Sequence, residues 1–577
     1  MNRNLIVVVS LLLLSACASV PELRGKTESD GSLGVLTPMP DGLPNTEIDP
    51  AVMYMLLVAE IAGQREQYDI ALEGYLEVAK LVNDAQVAER AAKIALYVRD
   101  AEKAGQAAEL WLKQDESNET ARKIALLAAL KTERVDAALT HAEVLLGKDE
   151  EGFQNTVLEL AQALGADVNI AVVYEMLSGL AASHSENASL PYMQALFALR
   201  LDSDVLALQS IERALAIRPG WDKALLLKAQ LLLQAGDLQE ADALLSLLDE
   251  RNPDDLGVKK LLAQVTLKRA DYGRAQKLYQ QMLADNDQDD QARFALALVN
   301  LQLGQIDDAQ AQLTVLSRQP QWRDRAYFYL AQIALQDEDH ERALSFFDRV
   351  QGDQDLAFTA RIAAASLLIK NAQWSSAWSR IEAVQAVETA HRVRLVLLKA
   401  EFHEAQKQYQ QAFEQLTEGL VALPGQLELL YARALVAERM GSLAQVEQDL
   451  TQLLAQEPDN ASALNALGYS LVVHSERYDE AAQLLEKALA LRPDEAVILD
   501  SYGWLQFKLG RLEQALTYLE KAYAMLQETE IAAHLAEVKW RLGQKDSARM
   551  LLHPLLKAHP DDDYLQDVLE RLPGLRP

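Results

Sequence analysis

The stretch Leu225–Pro253, LLLKAQLLLQAGDLQEADALLSLLDERNP, decides the architecture. Apolar residues recur every three or four positions on both sides of Gly236, which reads as two helices around a turn. Small Ala229 lies on the first helix; Leu238, Ala241, Leu245 and Leu248 form the stripe of the second, and Pro253 closes it. Small residues on facing stripes let two antiparallel helices approach closely. Neither helix can bury its stripe alone, so this hairpin demands neighbours like itself.

The neighbours are there. The small residue of the second helix recurs as Ala207, Ala241, Ala275, Ala309, Ala343 and Ala377, each step being 34 residues. It continues at Ala412, Val446, Ala481, Ala515 and Ala548, with steps of 35, 34, 35, 34 and 33. Turn glycines Gly304, Gly441, Gly510 and Gly543 and closing prolines Pro219, Pro424, Pro458, Pro493 and Pro560 keep the same register. This spacing resembles the tetratricopeptide repeat, a helix–turn–helix unit that stacks into superhelical arrays. Upstream, Ala71, Ala104 and Ala138 keep the register with steps of 33 and 34; between Asp149 and Asn187 it is less regular, and we expect one degenerate hairpin around Ala171. The expected fold is all-α: a tetratricopeptide-repeat superhelical solenoid of about 15 helical hairpins, at about 34 residues each. Degenerate repeat-like hairpins are expected over 50–190 and a regular array with a C-terminal cap over 191–577.

Composition agrees. Among 577 residues, Gly 25 and Pro 16 are too few for a turn-rich β chain, and the 6% aromatic share is small for a β-sandwich core. A formal charge of −30 repels phosphate backbones, which excludes nucleic acid as the main partner. One cysteine rules out any intrachain disulfide and Cys-based zinc sites. Acidic runs such as Asp254-Asp255, Asp289-Asp290 and Asp561-Asp562-Asp563 follow closing turns, where they read as helix caps.

That cysteine ends a processing signal. Arg3 precedes the apolar run Leu5–Leu14, and Leu14-Ser15-Ala16-Cys17 resembles the bacterial lipobox, whose cysteine takes diacylglycerol and N-terminal acyl groups. Ten apolar residues span only about 15 Å as a helix, too short to cross a bilayer. Residues 1–16 are therefore expected to be a lipoprotein signal peptide, Cys17 the lipidation site, and 17–49 a tether with Pro21, Pro38, Pro40 and Pro44. Ala18 rather than Asp after the cysteine fits the outer membrane, facing the periplasm. Asp49-Pro50 reads as the cap and first residue of the first helix.

No catalytic constellation emerges. His403-Glu404 lacks a second histidine at zinc-protease spacing, and neither a phosphate loop nor a Gly-x-Ser-x-Gly elbow is found. We expect no enzyme activity, no catalytic residue, no metal and no small-molecule substrate; the lipid groups on Cys17 are the sole expected attachment. The first helix of each hairpin should line a concave surface suited to protein partners. Repeat geometry puts Tyr469, Trp504, Phe507, Lys508, Trp540 and Arg541 on it. Aromatics beside Lys and Arg are the residues that anchor peptides; alternatively the rings fill the inter-repeat core near the capping end. Phe294, Phe328 and Tyr329 near Arg325 form a second aromatic cluster.

Lipobox and repeats together resemble the outer-membrane tetratricopeptide lipoproteins that bind the periplasmic carboxyl-terminal processing protease, the LbcA-like lipoproteins. Two segments carry the likeness beyond generic repeat. One is Val87-Ala88-Glu89-Arg90-Ala91-Ala92-Lys93-Ile94-Ala95-Leu96 with Ala108-Glu109-Leu110-Trp111. The other is Asp500-Ser501-Tyr502-Gly503-Trp504 with Ile531-Ala532-Ala533-His534-Leu535-Ala536-Glu537-Val538. The resemblance implies an adaptor that binds and activates the protease and presents protein substrates, cell-wall hydrolases, to it. The residues alone equally allow a non-enzymatic assembly scaffold for pilus, outer-membrane protein or exopolysaccharide export machinery.

Overall fold

The computed structural model describes residues 49–148, 150–163 and 169–576. Cys17, the signal peptide and the tether as far as residue 48 lie outside the described residues. Within them are thirty-one α-helices, α1 to α31 in chain order, one 3-10 turn at Pro573–Leu575, and no strand. Thirty of the helices alternate as first and second helices of fifteen hairpins, and α31 (Asp563–Arg571) is left as a terminal first helix. No described helix is long and apolar enough to cross a membrane.

The local reasons repeat from hairpin to hairpin. Asp49 caps α1 (Pro50–Gln64), accepting from the Ala51 amide at 2.8 Å with Pro50 as its first residue. Asp255, Asp289 and Asp562 likewise cap the helices that follow them, so one aspartate of each acidic run is partnered by a backbone amide. Pro219, Pro253, Pro424, Pro458, Pro493 and Pro560 each stand two residues past the end of a second helix. Inside the hairpin the turn residue takes the left-handed conformation at Gly236, Gly304, Gly441, Gly510 and Gly543. Eight other hairpins make the same turn without glycine, at Glu66, Arg99, Glu133, Asp202, Ala270, Glu338, Ala372 and Lys407. Each of these thirteen residues stands five positions before the small residue of its second helix.

That small residue is the fourth of every second helix, and it is buried throughout: Ala71, Ala104, Ala138, Ala207, Ala241, Ala275, Ala309, Ala343, Ala377, Ala412, Ala481, Ala515 and Ala548 are all 0% exposed. Bulk there would push the two helices apart. The degenerate hairpin corrects our expectation. Ala171 is exposed, and the buried fourth residue of α8 (Ile170–Ser183) is Val173. The side chain of Asn169 caps this helix one residue before Ile170 and sets its register two positions later than an alanine-based reading assumes. With Val173 the steps are 173 − 138 = 35 and 207 − 173 = 34, so the period runs through this region unbroken.

The chain divides into two compact units, one ending at Ile217 and one running from Arg218. In the second unit successive first helices touch one another more closely than successive second helices do. A stack whose first helices converge curves toward them, so the first helices line its inner side. In the first unit a core of alanines, with Trp111 and Tyr75, joins the first two and a half hairpins. A second core around Phe153, Met176, Met193 and Phe197 carries the register through the degenerate hairpin.

Candidate functional site

The inner side of the last hairpins holds the aromatic and charged cluster. Its helices are α23 (Leu427–Arg439), α25 (Ala461–His474), α27 (Ala496–Lys508), α29 (Thr529–Arg541) and α31. Gly503 lets α27 approach its partner α28 (Leu512–Met525): a Cβ there would come within 2.8 Å of Leu519. Trp504, the next residue, packs instead with Leu471, Val472, Ala481 and Leu485 of the preceding hairpin.

Trp504 is buried, with one face stacked on Phe507 at 4.7 Å and the other on the His534 imidazole at 4.0 Å. The Lys508 ammonium stands 5.2 Å from the indole centroid and the Arg571 guanidinium 5.9 Å. His534 donates from Nδ1 to the Asp500 carboxylate at 3.0 Å. Burial opposes its charge, but Asp500 and Glu530 outweigh that and hold its pKa above the ordinary value. Tyr469 donates to Glu530 Oε1 at 2.6 Å. Burial raises the Glu530 pKa, against the pull of His534 and of the phenols of Tyr469 and Tyr564. Beyond Glu530 the Arg439 guanidinium lies 5.1 Å over the Tyr564 ring, and Lys407 pairs with Asp563 at 2.8 Å. On the other flank buried Glu537 accepts from Arg571 at 2.8 Å, and Arg541 stands 3.9 Å from it.

Of the six residues expected on the concave face, the fold brings Tyr469 and Trp504 against His534, sets Phe507 and Lys508 against Trp504, and places Arg541 beside Glu537. Trp540 is turned onto the C-terminal turn, where a Cβ on Gly574 would come within 2.7 Å of the indole and where Lys545 and Arg549 lie over it. It belongs to the cluster of α30 (Lys545–Ala558) and α31 that closes the array. Lys508 and Arg541 are exposed, Trp504 is buried, and Tyr469, Phe507 and Trp540 are half-buried. Sequence reading missed Asp500, Glu530, His534, Glu537 and Arg571 as members of this cluster. The signal was the period itself: Asp500–His534 and Glu537–Arg571 are each 34 residues apart, one repeat position on successive first helices. The second aromatic cluster is interior too: Phe294 is buried between Trp322 at 5.0 Å and Tyr329 at 5.6 Å, with Arg325 over Trp322.

Tetratricopeptide-repeat models match residues 205–265, 267–333 and 506–572, and another model of the same repeat matches 459–528. The chain is similar from end to end to the TPR repeat-containing protein PA4667 of Pseudomonas aeruginosa, at 32% identity over 583 residues that cover 100% of this chain and 97% of that one. The chain belongs to the tetratricopeptide-repeat family. Among solved structures, a tetratricopeptide-repeat protein of Parabacteroides merdae is 16% identical, covering 49% of this chain and 98% of that one with a TM-score of 0.32. TTC0263 of Thermus thermophilus is 22% identical, covering 33% and 98% with a TM-score of 0.28. As a tetratricopeptide-repeat protein the chain is a protein-interaction scaffold.

Proposed function

We propose that the chain is an outer-membrane lipoprotein of the LbcA-like kind. It is held at Cys17 by diacylglycerol and acyl groups, and it recruits and activates a periplasmic carboxyl-terminal processing protease to which it presents cell-wall hydrolases. The observation that carries the reading is the inner surface of the second unit, lined by first helices that converge over α23 to α31. A surface built from successive helices of a repeat array is of the kind that takes protein partners. The lipobox at Leu14–Cys17 supports the anchor, and the two family-like segments support the choice of partner. One of them, Ile531–Val538, supplies His534 and Glu537, the centre of the inner network.

In this reading the buried network sets the curvature of the surface, while the exposed cations Lys508 and Arg541 meet the partner at its edge. The scaffold's contribution to rate is binding and orientation: it brings protease and substrate together at high effective concentration. The test is direct. The purified chain, added to a purified processing protease and one of its hydrolase substrates, should speed cleavage by tenfold or more; an unchanged rate rejects the reading.

A further inference from the structure

The outward face of α1 is apolar and open. Met53, Tyr54, Leu57 and Ile61 are 55%, 69%, 53% and 48% exposed, and Leu56 and Val58 lie beside them. The one charged residue of the helix, Glu60, is turned away to Tyr75 and Arg90. An array end that meets only water needs a polar outer face, and an exposed apolar patch of this kind marks an interaction site.

The following hairpins identify what fits it. Aligned on the left-handed turn residues Glu66, Arg99 and Glu133, Tyr54, Val58 and Ile61 correspond to Val87, Ala91 and Ile94 of α3 (Ala85–Tyr97). They correspond also to Ala121, Ala125 and Ala128 of α5 (Glu119–Lys131). Those positions are closed: Ala91, Ala121, Ala125 and Ala128 are 0%, 0%, 3% and 1% exposed, and Val87 and Ile94 pack against the same core. The difference between the helices is what precedes them. The second helix α2 (Tyr68–Leu81) packs on α3, and α4 (Ala101–Gln114) packs on α5. The patch is also wider than the repeat requires: Met53, Leu56 and Leu57 stand where α3 has Gln86, Glu89 and Arg90.

We propose that α1 docks an amphipathic helix of a partner protein, laid where a preceding second helix would lie and extending the array by one helix in trans. The tether sequence offers no candidate for that helix: residues 18–48 carry four prolines and four glycines and no apolar stripe at helical spacing. A second copy offers only another α1, a first-helix stripe, since its second helices are already packed within its own array. A bilayer surface fits less well, because α1 has no Lys or Arg to meet a lipid phosphate.

The experiment places the photo-crosslinker p-benzoylphenylalanine at position 58 of the full-length chain in its native envelope. The expected result is an adduct with a different protein, through a peptide whose apolar residues recur at helical spacing. Ile61→Lys and, separately, Tyr54→Lys should each cut that adduct at least tenfold with the thermal midpoint of the array unchanged. Adducts only with lipid, only with a second copy, with a non-helical segment, or with nothing overturn the proposal, as does an adduct that survives both substitutions in folded protein. The outcome is separable from the protease reading. A helical adduct with a protein that is not a protease upholds this inference and leaves that reading to its own cleavage assay; full protease activation by a chain that forms no adduct upholds that reading and overturns this inference.

Discussion

The phenol of Tyr469 reaches the carboxylate of Glu530 at 2.6 Å across 61 residues of chain, past the whole hairpin of α27 and α28. First helices of alternate hairpins thus touch directly over the inner surface. Lys407–Asp563 and Arg439–Tyr564 extend the same closure to α31. The C-terminal hairpins form one cross-linked block rather than a row of independent repeats, and their stability should be cooperative.

The block should be more stable at mildly acidic than at alkaline pH. The folded-state pKa of His534 is raised, so the stability it contributes is complete below its ordinary value of 6.5 and is lost as pH rises through the folded value. Glu530 is raised as well, which acts in the same direction at lower pH. Urea unfolding of the chain between about pH 6 and about pH 9 should show a midpoint that falls with pH. Asp500→Asn, which removes the first of the charges holding His534 protonated, should flatten that slope.

Trp504→Ala should cost about 3 to 5 kcal/mol of stability, because both faces of the indole are covered and the cavity cannot refill. Lys508→Glu and Arg541→Glu, at exposed positions, should cost much less, about 1 kcal/mol each, from the lost pairing with the Trp504 ring and with Glu537. The account predicts that these two charge changes weaken partner binding by at least tenfold. Denaturant titration and a binding isotherm on the same preparations separate the two effects.

Asp449 is fully buried and receives a bidentate pair of hydrogen bonds from Arg433 at 2.7 and 2.8 Å, with Gln445 as a further donor. Asp449→Ala should cost about 3 to 5 kcal/mol, since it strands the half-buried guanidinium without its counter-ion. Replacing both partners, Arg433→Met with Asp449→Leu, should recover most of the loss. A double-mutant cycle by urea denaturation reads the coupling.

The turns offer a test of opposite sign. Gly304→Ala forces a Cβ into the left-handed region and should destabilise by about 1 kcal/mol. Ala372→Gly relieves the same strain, offset by the greater freedom of glycine in the unfolded chain, and should be neutral to stabilising by up to about 1 kcal/mol. Paired melting curves decide both.

Cys17→Ser should leave the array folded and release it from the membrane fraction. Mass spectrometry of the parent should find diacylglycerol and acyl mass on a chain that begins at Cys17.

The repeat was legible because one physical requirement, a small residue where two helices cross, recurs at nearly constant spacing. Val173 escaped because Ala171, two positions earlier, offers a small residue that fits the period nearly as well, and the Asn169 cap that fixes the register looks like any loop asparagine. The turn glycines were readable, while eight non-glycine turns were not, since left-handed Glu, Arg or Lys leaves no mark in sequence. The inner network was half legible. Asp500–His534 and Glu537–Arg571 follow the period, but Tyr469–Glu530 and Lys407–Asp563 depend on how tightly the stack curves, which summed packing of many small side chains sets. The exposed face of α1 was hidden because its apolar pattern is that of an interior helix.

The central claim is that this array works by holding a processing protease and its substrates. The measurement that tests it most directly is affinity capture on the full-length chain from periplasm, with captured proteins identified by mass spectrometry. The account predicts a carboxyl-terminal processing protease together with cell-wall hydrolases, both reduced by Lys508→Glu with Arg541→Glu. Capture of envelope-assembly proteins with no protease among them would contradict it.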